Sequence, residues 1–139
     1  MRSARPGDLT SIEKLLTSSG LVAVEVATGL DRFLVADQAG IVGVLGREST
    51  SQAVLLRSLA VASEVRKAGV AEALMNEALA QAKAAESAVA YLFTNTAADY
   101  FTKRGFQSIE RMEVPAAFLN SPAVSTCCST ATAMQMELK

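Results

Sequence analysis

Strand-length apolar runs that alternate with helix-patterned segments predict an α/β sandwich, with residues 1–139 forming one domain. Three observations carry that expectation. The apolar run at 55–61 is joined by a basic, glycine-bearing turn, Arg66-Lys67-Ala68-Gly69-Val70-Ala71, to a segment patterned as an amphipathic helix over 70–85. A second run at 89–94 leads into a short helical stretch that stops at Gly105. The runs 33–36 and 41–45 flank Asp37-Gln38-Ala39-Gly40, which is hairpin composition and spacing.

Taken in order, residues 1–4 read as a short first strand, Pro6-Gly7 as a turn, and Asp8 as the N-cap of a helix. Leu9, Ile12, Leu15 and Leu16 share one face of that helix, which stops by Ser18-Ser19-Gly20. Residues 21–30 fit a loop with a short helix or irregular turn. After the hairpin, the polar stretch 47–52 turns the chain into the strand at 55–61. In the helix over 70–85, Ala71, Leu74, Met75, Ala78, Leu79 and Ala82 form the buried stripe, while Glu72, Asn76, Glu77 and Gln81 face away. Asn95 or Thr96 caps the next helix, and Gly105 supplies a left-handed C-cap. Met112-Glu113-Val114-Pro115 reads as the end of a sixth strand, 116–120 as a helical turn, and 132–138 as a closing strand.

Half the residues are apolar, enough to bury one core at 139 residues. Thirteen basic and fourteen acidic residues nearly cancel, and there is no Lys/Arg block, so nucleic acid is not an expected partner. The longest apolar stretches are strand-length or broken by polar residues, which predicts no membrane span. Residues 1–6 lack the apolar centre of a signal peptide, and the chain reads as cytoplasmic. With no histidine, a Ser-His or Cys-His catalytic pair is excluded and no metal site is expected. The two cysteines, Cys127 and Cys128, are adjacent and do not staple distant segments. Two readings of them stay open: small residues near a strand start, or a chelating pair for a soft metal or arsenical.

The turn at 66–71 has the chemistry of a pyrophosphate cradle. The first amides of a helix lack intrahelical partners, the helix end favours an anion, and Gly69 lets a phosphate approach the backbone. The same Arg66 and Lys67 also fit a solvated loop pair. Arg57 stands out differently, as a guanidinium inside a strand of leucine, alanine and valine. Alternation puts it on a face with Leu55 and Leu59. It either binds a substrate oxyanion, with Ser58 beside it, or makes a structural ion pair with an acidic residue from the C-terminal region.

In their order along the chain, residues 55–61, the turn at 66–71, Tyr91-Leu92-Phe93-Thr94-Asn95 and Tyr100-Phe101-Thr102-Lys103-Arg104-Gly105-Phe106 resemble the GNAT superfamily of acyl-CoA N-acyltransferases. That family carries Arg/Gln-x-x-Gly-x-Gly/Ala after its fourth strand, and its fifth strand leads to a short helix ending in Gly-Phe. Leu-Arg-Ser-Leu-Ala-Val, Phe-Thr-Asn-Thr, Glu-Val-Pro and a Ser/Thr-rich closing strand are similar to the branch of N-acetylglutamate synthase domains and arsenic-operon acetyltransferases.

The resemblance implies a mixed, largely antiparallel sheet flanked by helices and splayed between strands 4 and 5. It implies acetyl-CoA as cosubstrate, a small-molecule amine as acceptor, and a homodimer as a family-level expectation. The backbone of Leu59, Ala60 and Val61 would meet the pantetheine arm, with a main-chain N–H near Val61 as oxyanion donor. Arg66, Lys67, Ala68, Gly69, Val70 and Ala71 would meet the pyrophosphate, and Asn95 and Phe101 would also border the cofactor. The family's general-acid tyrosine lies four residues before the glycine of Gly-Phe, a place held here by Phe101. Tyr100, roughly 100° around the helix, is the candidate acid, or else a packed tyrosine with a surface hydroxyl. The family's glutamate at the start of the fourth strand corresponds to Leu55, and Glu48 and Glu25 are the nearest substitutes by sequence. The expected activity is N-acetyl transfer to an amino-acid-like or oxyanion-bearing amine. The alternative is an acyl-CoA sensor with little turnover.

Overall fold

The computed structural model describes residues 1–19, 29–63, 69–94, 97–120 and 131–138. Its strands are β1 (Arg2–Ser3), β2 (Phe33–Asp37), β3 (Ile41–Ser49), β4 (Ala53–Val61), β5 (Val89–Thr94), β6 (Gln107–Ile109) and β7 (Thr132–Glu137). Its helices are α1 (Leu9–Ser18), α2 (Val70–Ala84), α3 (Ala98–Lys103) and α4 (Ala116–Leu119). The strands form one sheet in the order β1-β2-β3-β4-β5-β7-β6. Every neighbouring pair is antiparallel except β4 and β5, which run parallel because α2 carries the chain back between them. This is the mixed, mostly antiparallel α/β architecture expected from the sequence.

Helix α2 covers one face. Val70, Leu74, Met75, Ala78 and Ala82 are buried against Leu34, Leu45, Val54, Leu56, Val61 and Leu92, with Ala71 and Leu79 partly buried beside them. The close approach depends on Gly43, where a Cβ would stand 2.7 Å from Val70 Cγ1 and 3.0 Å from Leu74 Cδ1. The opposite face carries two separate apolar clusters. One joins Ile12 and Leu16 of α1 to Phe33, Val35, Val44 and Ala60. The other joins Val114 and Phe118 to Ala53, Leu55, Tyr91 and Ala133.

Several local expectations are corrected. Asp8 stands at the N-cap position of α1 but makes no cap hydrogen bond there. Its carboxylate turns back to accept from the Arg5 N–H at 2.8 Å and from the Arg2 guanidinium at 2.6 Å, closing a 3-10 turn at Pro6–Asp8. Strand β3 continues through Ser49, because Arg47, Glu48 and Ser49 pair with Leu56, Leu55 and Val54. Polarity there marks an alternation of faces, not a turn. Residues 111–113 form a 3-10 helix and β6 ends at Ile109, so no strand reaches Val114. The Gly105 expectation fits: at φ +105° it follows α3, with Phe106 N–H donating to Phe101 O and Gly105 N–H to Thr102 O. Most of 21–30, and both Asn95 and Thr96, lie outside the described residues. Ala97 holds the cap position of α3, and its N–H donates to Thr94 Oγ1. No helix among the described residues is long and apolar enough to cross a membrane.

Candidate active site

Strands β4 and β5 pair only where Ala53–Leu56 lies against Val89–Leu92. Beyond that, β4 continues to Val61 held by β3, and β5 continues to Thr94 held by β7. The two strands therefore part and leave a wedge, with the backbone of Leu59, Ala60 and Val61 along one wall. Ala62 donates its N–H to Val42 O on the β3 side, so by strand alternation the main chain of Val61 faces the wedge.

Gly69 occupies the N-cap position of α2 with φ +79°, a conformation that penalises any side chain. It is exposed, and among the described residues a Cβ built there would meet no atom within 4 Å. The helix start is thus clear of the other described residues, while Val70 anchors the same turn in the core at 4% exposure. A cleft of about 190 Å³ lined by Ala36, Asp37, Gln38, Gly69, Val70 and Ala73 adjoins it. Asp37 at its rim is tied to Arg2, which also binds Asp8. Hydrogen bonds from Arg2 and then the Arg5 N–H hold the Asp8 carboxyl down at about 2. Those from Arg2 and the Gly40 N–H lower that of Asp37. Arg66, Lys67, Ala68 and Asn95 lie outside the described residues.

The two aromatic candidates of α3 point to different places. Phe101 is buried in the α2-side core, edge-on to Phe106 with ring centroids 5.8 Å apart. Tyr100 is 40% exposed, and the Arg104 guanidinium lies over its ring at 5.9 Å. Arg104 in turn bonds Asn76 and pairs with Glu72 at 3.2 Å, joining α3 to the first turns of α2.

On the opposite face, a β-bulge reorganises β4. Val44 pairs with Ala60 and Gly46 with Arg57, so Ser58 and Leu59 together oppose Leu45. Ser58 takes φ +57°, which for a non-glycine residue costs about 1–3 kcal/mol. The extra residue inverts the alternation: Leu59 packs with the α2-side cluster, whereas Ala60 joins the α1 cluster. Arg57 therefore shares its face with Leu55 but not with Leu59, correcting the simple alternation.

Arg57 lies on β4 between the two apolar clusters of that face, and its side chain is only 7% exposed. Its Nε stands 2.8 Å from Glu48 Oε2. The ion-pair partner is thus a residue of the adjacent strand, not of the C-terminal region. Nη1 donates to Ser58 Oγ at 3.3 Å, and the guanidinium lies 5.4 Å from the Phe33 ring centroid. Among the described residues Nη2 is buried with no hydrogen-bond partner, and the Nε–Glu48 contact is an ion pair without hydrogen-bond geometry. An unsatisfied buried donor costs about 1–3 kcal/mol, more when charged, which an incoming oxyanion would recover. Leu55, in the place of the family glutamate, is fully buried with Tyr91, Val114 and Phe118 and carries no proton chemistry.

Glu48, Gly46, Phe33 and Arg111 belong to this surroundings, and the sequence did not single out the last three. Arg111 lies over the Phe93 ring at 5.0 Å on the β5 side of the wedge. The β3–β4 register would have exposed the Glu48–Arg57 pairing, but reading 47–52 as a turn hid it. Among the described residues, no group of three or more His, Cys, Asp or Glu is placed to hold a metal. Cys127 and Cys128 are outside those residues.

The acetyltransferase (GNAT) domain model matches residues 29–108. No curated protein sequence matches the chain. Among solved structures, N-acetylglutamate synthase from Neisseria gonorrhoeae, complexed with coenzyme A and N-acetyl-glutamate, superposes with a TM-score of 0.87 at 16% identity. The match covers 99% of this chain and 34% of that one, so the chain spans about a third of that enzyme. Rv2747 from Mycobacterium tuberculosis, in complex with CoA, gives a TM-score of 0.84 at 20% identity, covering 99% of this chain and 98% of that one. A GNAT-family acetyltransferase from Staphylococcus aureus Mu50 gives 0.79 at 16% identity, covering 99% and 97% respectively.

Proposed function

The chain belongs to the GNAT acetyltransferase family, and on that premise we propose that it transfers an acetyl group from acetyl-CoA to the amine of a small, amino-acid-like or oxyanion-bearing acceptor. The observation that carries this reading is the wedge between β4 and β5 beside the open start of α2. An extended arm fits the wedge as an added strand against Leu59, Ala60 and Val61. A pyrophosphate would meet the turn at 66–71, where no described residue obstructs the approach to Gly69. Arg66, Lys67, Ala68, Val70, Ala71, Asn95 and Phe101 complete the proposed cofactor set by family likeness.

The thioester arrives activated, so the chain's tasks are positioning and charge stabilisation. The uncharged amine forms a bond to the acyl carbon, and a main-chain N–H near Val61 supports the oxygen as it gains charge. The carbon–sulfur bond then breaks. The amine gives up a proton to water, and the thiolate takes one from Tyr100 or from water. Arg57 with Ser58 holds the acceptor's oxyanion through the unfilled Nη2. The gonococcal neighbour's complex with N-acetyl-glutamate supports an acceptor of this class.

Thermal stabilisation by acetyl-CoA, followed by thiol release with an amine panel, tests the transfer. Arg57→Ala should raise the KM of an anionic acceptor far more than that of acetyl-CoA, and Arg57→Lys should recover part of it. Equal losses on anionic and neutral amines would remove Arg57 from the acceptor site. A second reading, an acyl-CoA sensor, is favoured by Phe101 and Leu55 standing where the family has its tyrosine and glutamate. Binding without thiol release across the panel would select it.

A further inference from the structure

The Arg57 guanidinium is ion-paired with Glu48 along its Nε edge and hydrogen-bonded to Ser58 through Nη1, and we propose that Glu48 is the positioning residue that aims the remaining Nη2 corner at the acceptor's oxyanion. The inference rests on the reading that Arg57 is the acceptor contact. Glu48 acts through Arg57 and not on the reacting amine.

The register makes this possible. Gly46 pairs with Arg57 and Glu48 with Leu55, so the two β3 residues and the two β4 residues share one face. Glu48 reaches diagonally to the Nε edge at 2.8 Å, while Ser58 Oγ occupies Nη1 at 3.3 Å. The ion pair and the hydrogen bond together limit rotation of the guanidinium within its plane. Phe33 fixes the plane itself, its ring centroid 5.4 Å from Cζ. The ring lies where it does because Gly46 has no side chain: a Cβ there would stand 2.9 Å from Phe33 Cε1 and 3.3 Å from Arg57 O.

A pair built only to neutralise a buried cation would use the bidentate fork, in which a carboxylate takes two parallel N–H donors. Here Glu48 meets Nε and leaves Nη2 buried with no partner, in a side chain that is 7% exposed. That geometry is wasteful for a structural ion pair and well suited to a site completed by a ligand. The carboxylate keeps the guanidinium electrically tolerable inside the fold until the ligand arrives.

The experiment uses the full chain saturated with CoA, with L-glutamate as a carboxylate-bearing probe. The Nε–Hε resonance of Arg57, assigned by its loss in Arg57→Lys, reports occupancy. Probe affinity is measured for Glu48→Gln, Glu48→Asp and Gly46→Ala, alongside CoA affinity and melting temperature. Glu48→Gln should weaken the probe at least about tenfold with CoA affinity unchanged, and Glu48→Asp should restore part of the loss. Glu48→Asp, which draws the carboxylate back from Nε, carries the test if Glu48→Gln does not fold, while Gly46→Ala, whose Cβ would displace Phe33, reports the ring's part in fixing the guanidinium plane. Probe affinity within about twofold of the parent in Glu48→Gln or, failing that, in Glu48→Asp would overturn the proposal. A parent protein that binds CoA but shows no Arg57 response to the probe would overturn both Arg57 as the oxyanion contact and Glu48 as its positioning residue. Failure of the parent to bind CoA would instead overturn the acetyl-transfer reading.

Discussion

Replacing Gly69 by valine separates the cofactor site from the fold, because the two consequences have different sizes and readouts. At φ +79° a β-carbon brings the left-handed penalty of about 1–2 kcal/mol, with β-branching at the upper end. Among the described residues nothing within 4 Å meets the new Cβ, so they add no steric term to it. For a chain of this size the loss should lower the melting temperature by roughly 3–8 °C and leave the protein folded. The same open space is where the proposed pyrophosphate approaches the helix start. Losing one charge-assisted amide–phosphate hydrogen bond there costs about 1.5–3 kcal/mol, which is roughly 10- to 100-fold in affinity. Calorimetric titration with CoA reads this directly, and Gly69→Ala should fall between parent and valine. Gly105→Ala supplies the control, since φ is +105° there and the position caps α3 instead of opening α2. It should lose stability with little change in CoA affinity. A folded Gly69→Val protein that binds CoA like the parent would refute the placement of the pyrophosphate.

Two further outcomes follow from the geometry. Tyr100→Phe should lower turnover by much less than the roughly 100-fold typical of losing a positioned acid, because its ring is 40% exposed and engaged by Arg104; a large pH-dependent loss of kcat would show instead that the hydroxyl serves the thiolate. Asp8, held at about 2 against an ordinary 3.8, contributes stability that is present above pH 4 and lost as pH falls towards 2; melting curves of Arg2→Met across that window should show a flatter acid limb than the parent, and an unchanged limb would exclude the Arg2 contacts as its source.

The sequence was most legible where periodicity and punctuation agree. Helix α2 declares itself through a stripe at helical spacing, and its burial follows that stripe at Leu74, Met75, Ala78 and Ala82, with Ala71 and Leu79 only partly buried and Val70 added to it. Gly105 marks the end of α3 because a left-handed residue is needed there for Phe106 to fold back onto Phe101. Legibility failed where a polar residue had two physical uses. Arg47, Glu48 and Ser49 have turn-like composition, yet each has a β4 partner, and Glu48 belongs to the most buried ion pair on that face. Asp8 sits where a helix cap belongs, but Arg2 and the Arg5 N–H compete successfully for its carboxylate.

The bulge at Ser58 explains why the proposed acceptor side resisted sequence reasoning more than the proposed cofactor side did. A pyrophosphate cradle is made of backbone and needs only a permissive residue at the right turn, which Gly69 announces by its type. A side-chain site depends on which face each residue occupies, and one inserted residue in β4 reverses that assignment for everything after it. Strict alternation from Arg57 would put Leu59 and Val61 on its face. The bulge instead sends both into the α2-side core and brings Ala60 to the face of Arg57. Small Ala60 on one side and buried Leu55 on the other leave the guanidinium as the polar feature between two apolar clusters. Without the left-handed turn at Ser58, Leu59 would stand beside Arg57 and cover it. The strain at that residue therefore decides which side chain stands beside Arg57, and it links the wedge proposed to accept the acyl donor to the cation proposed to hold the amine's anionic group.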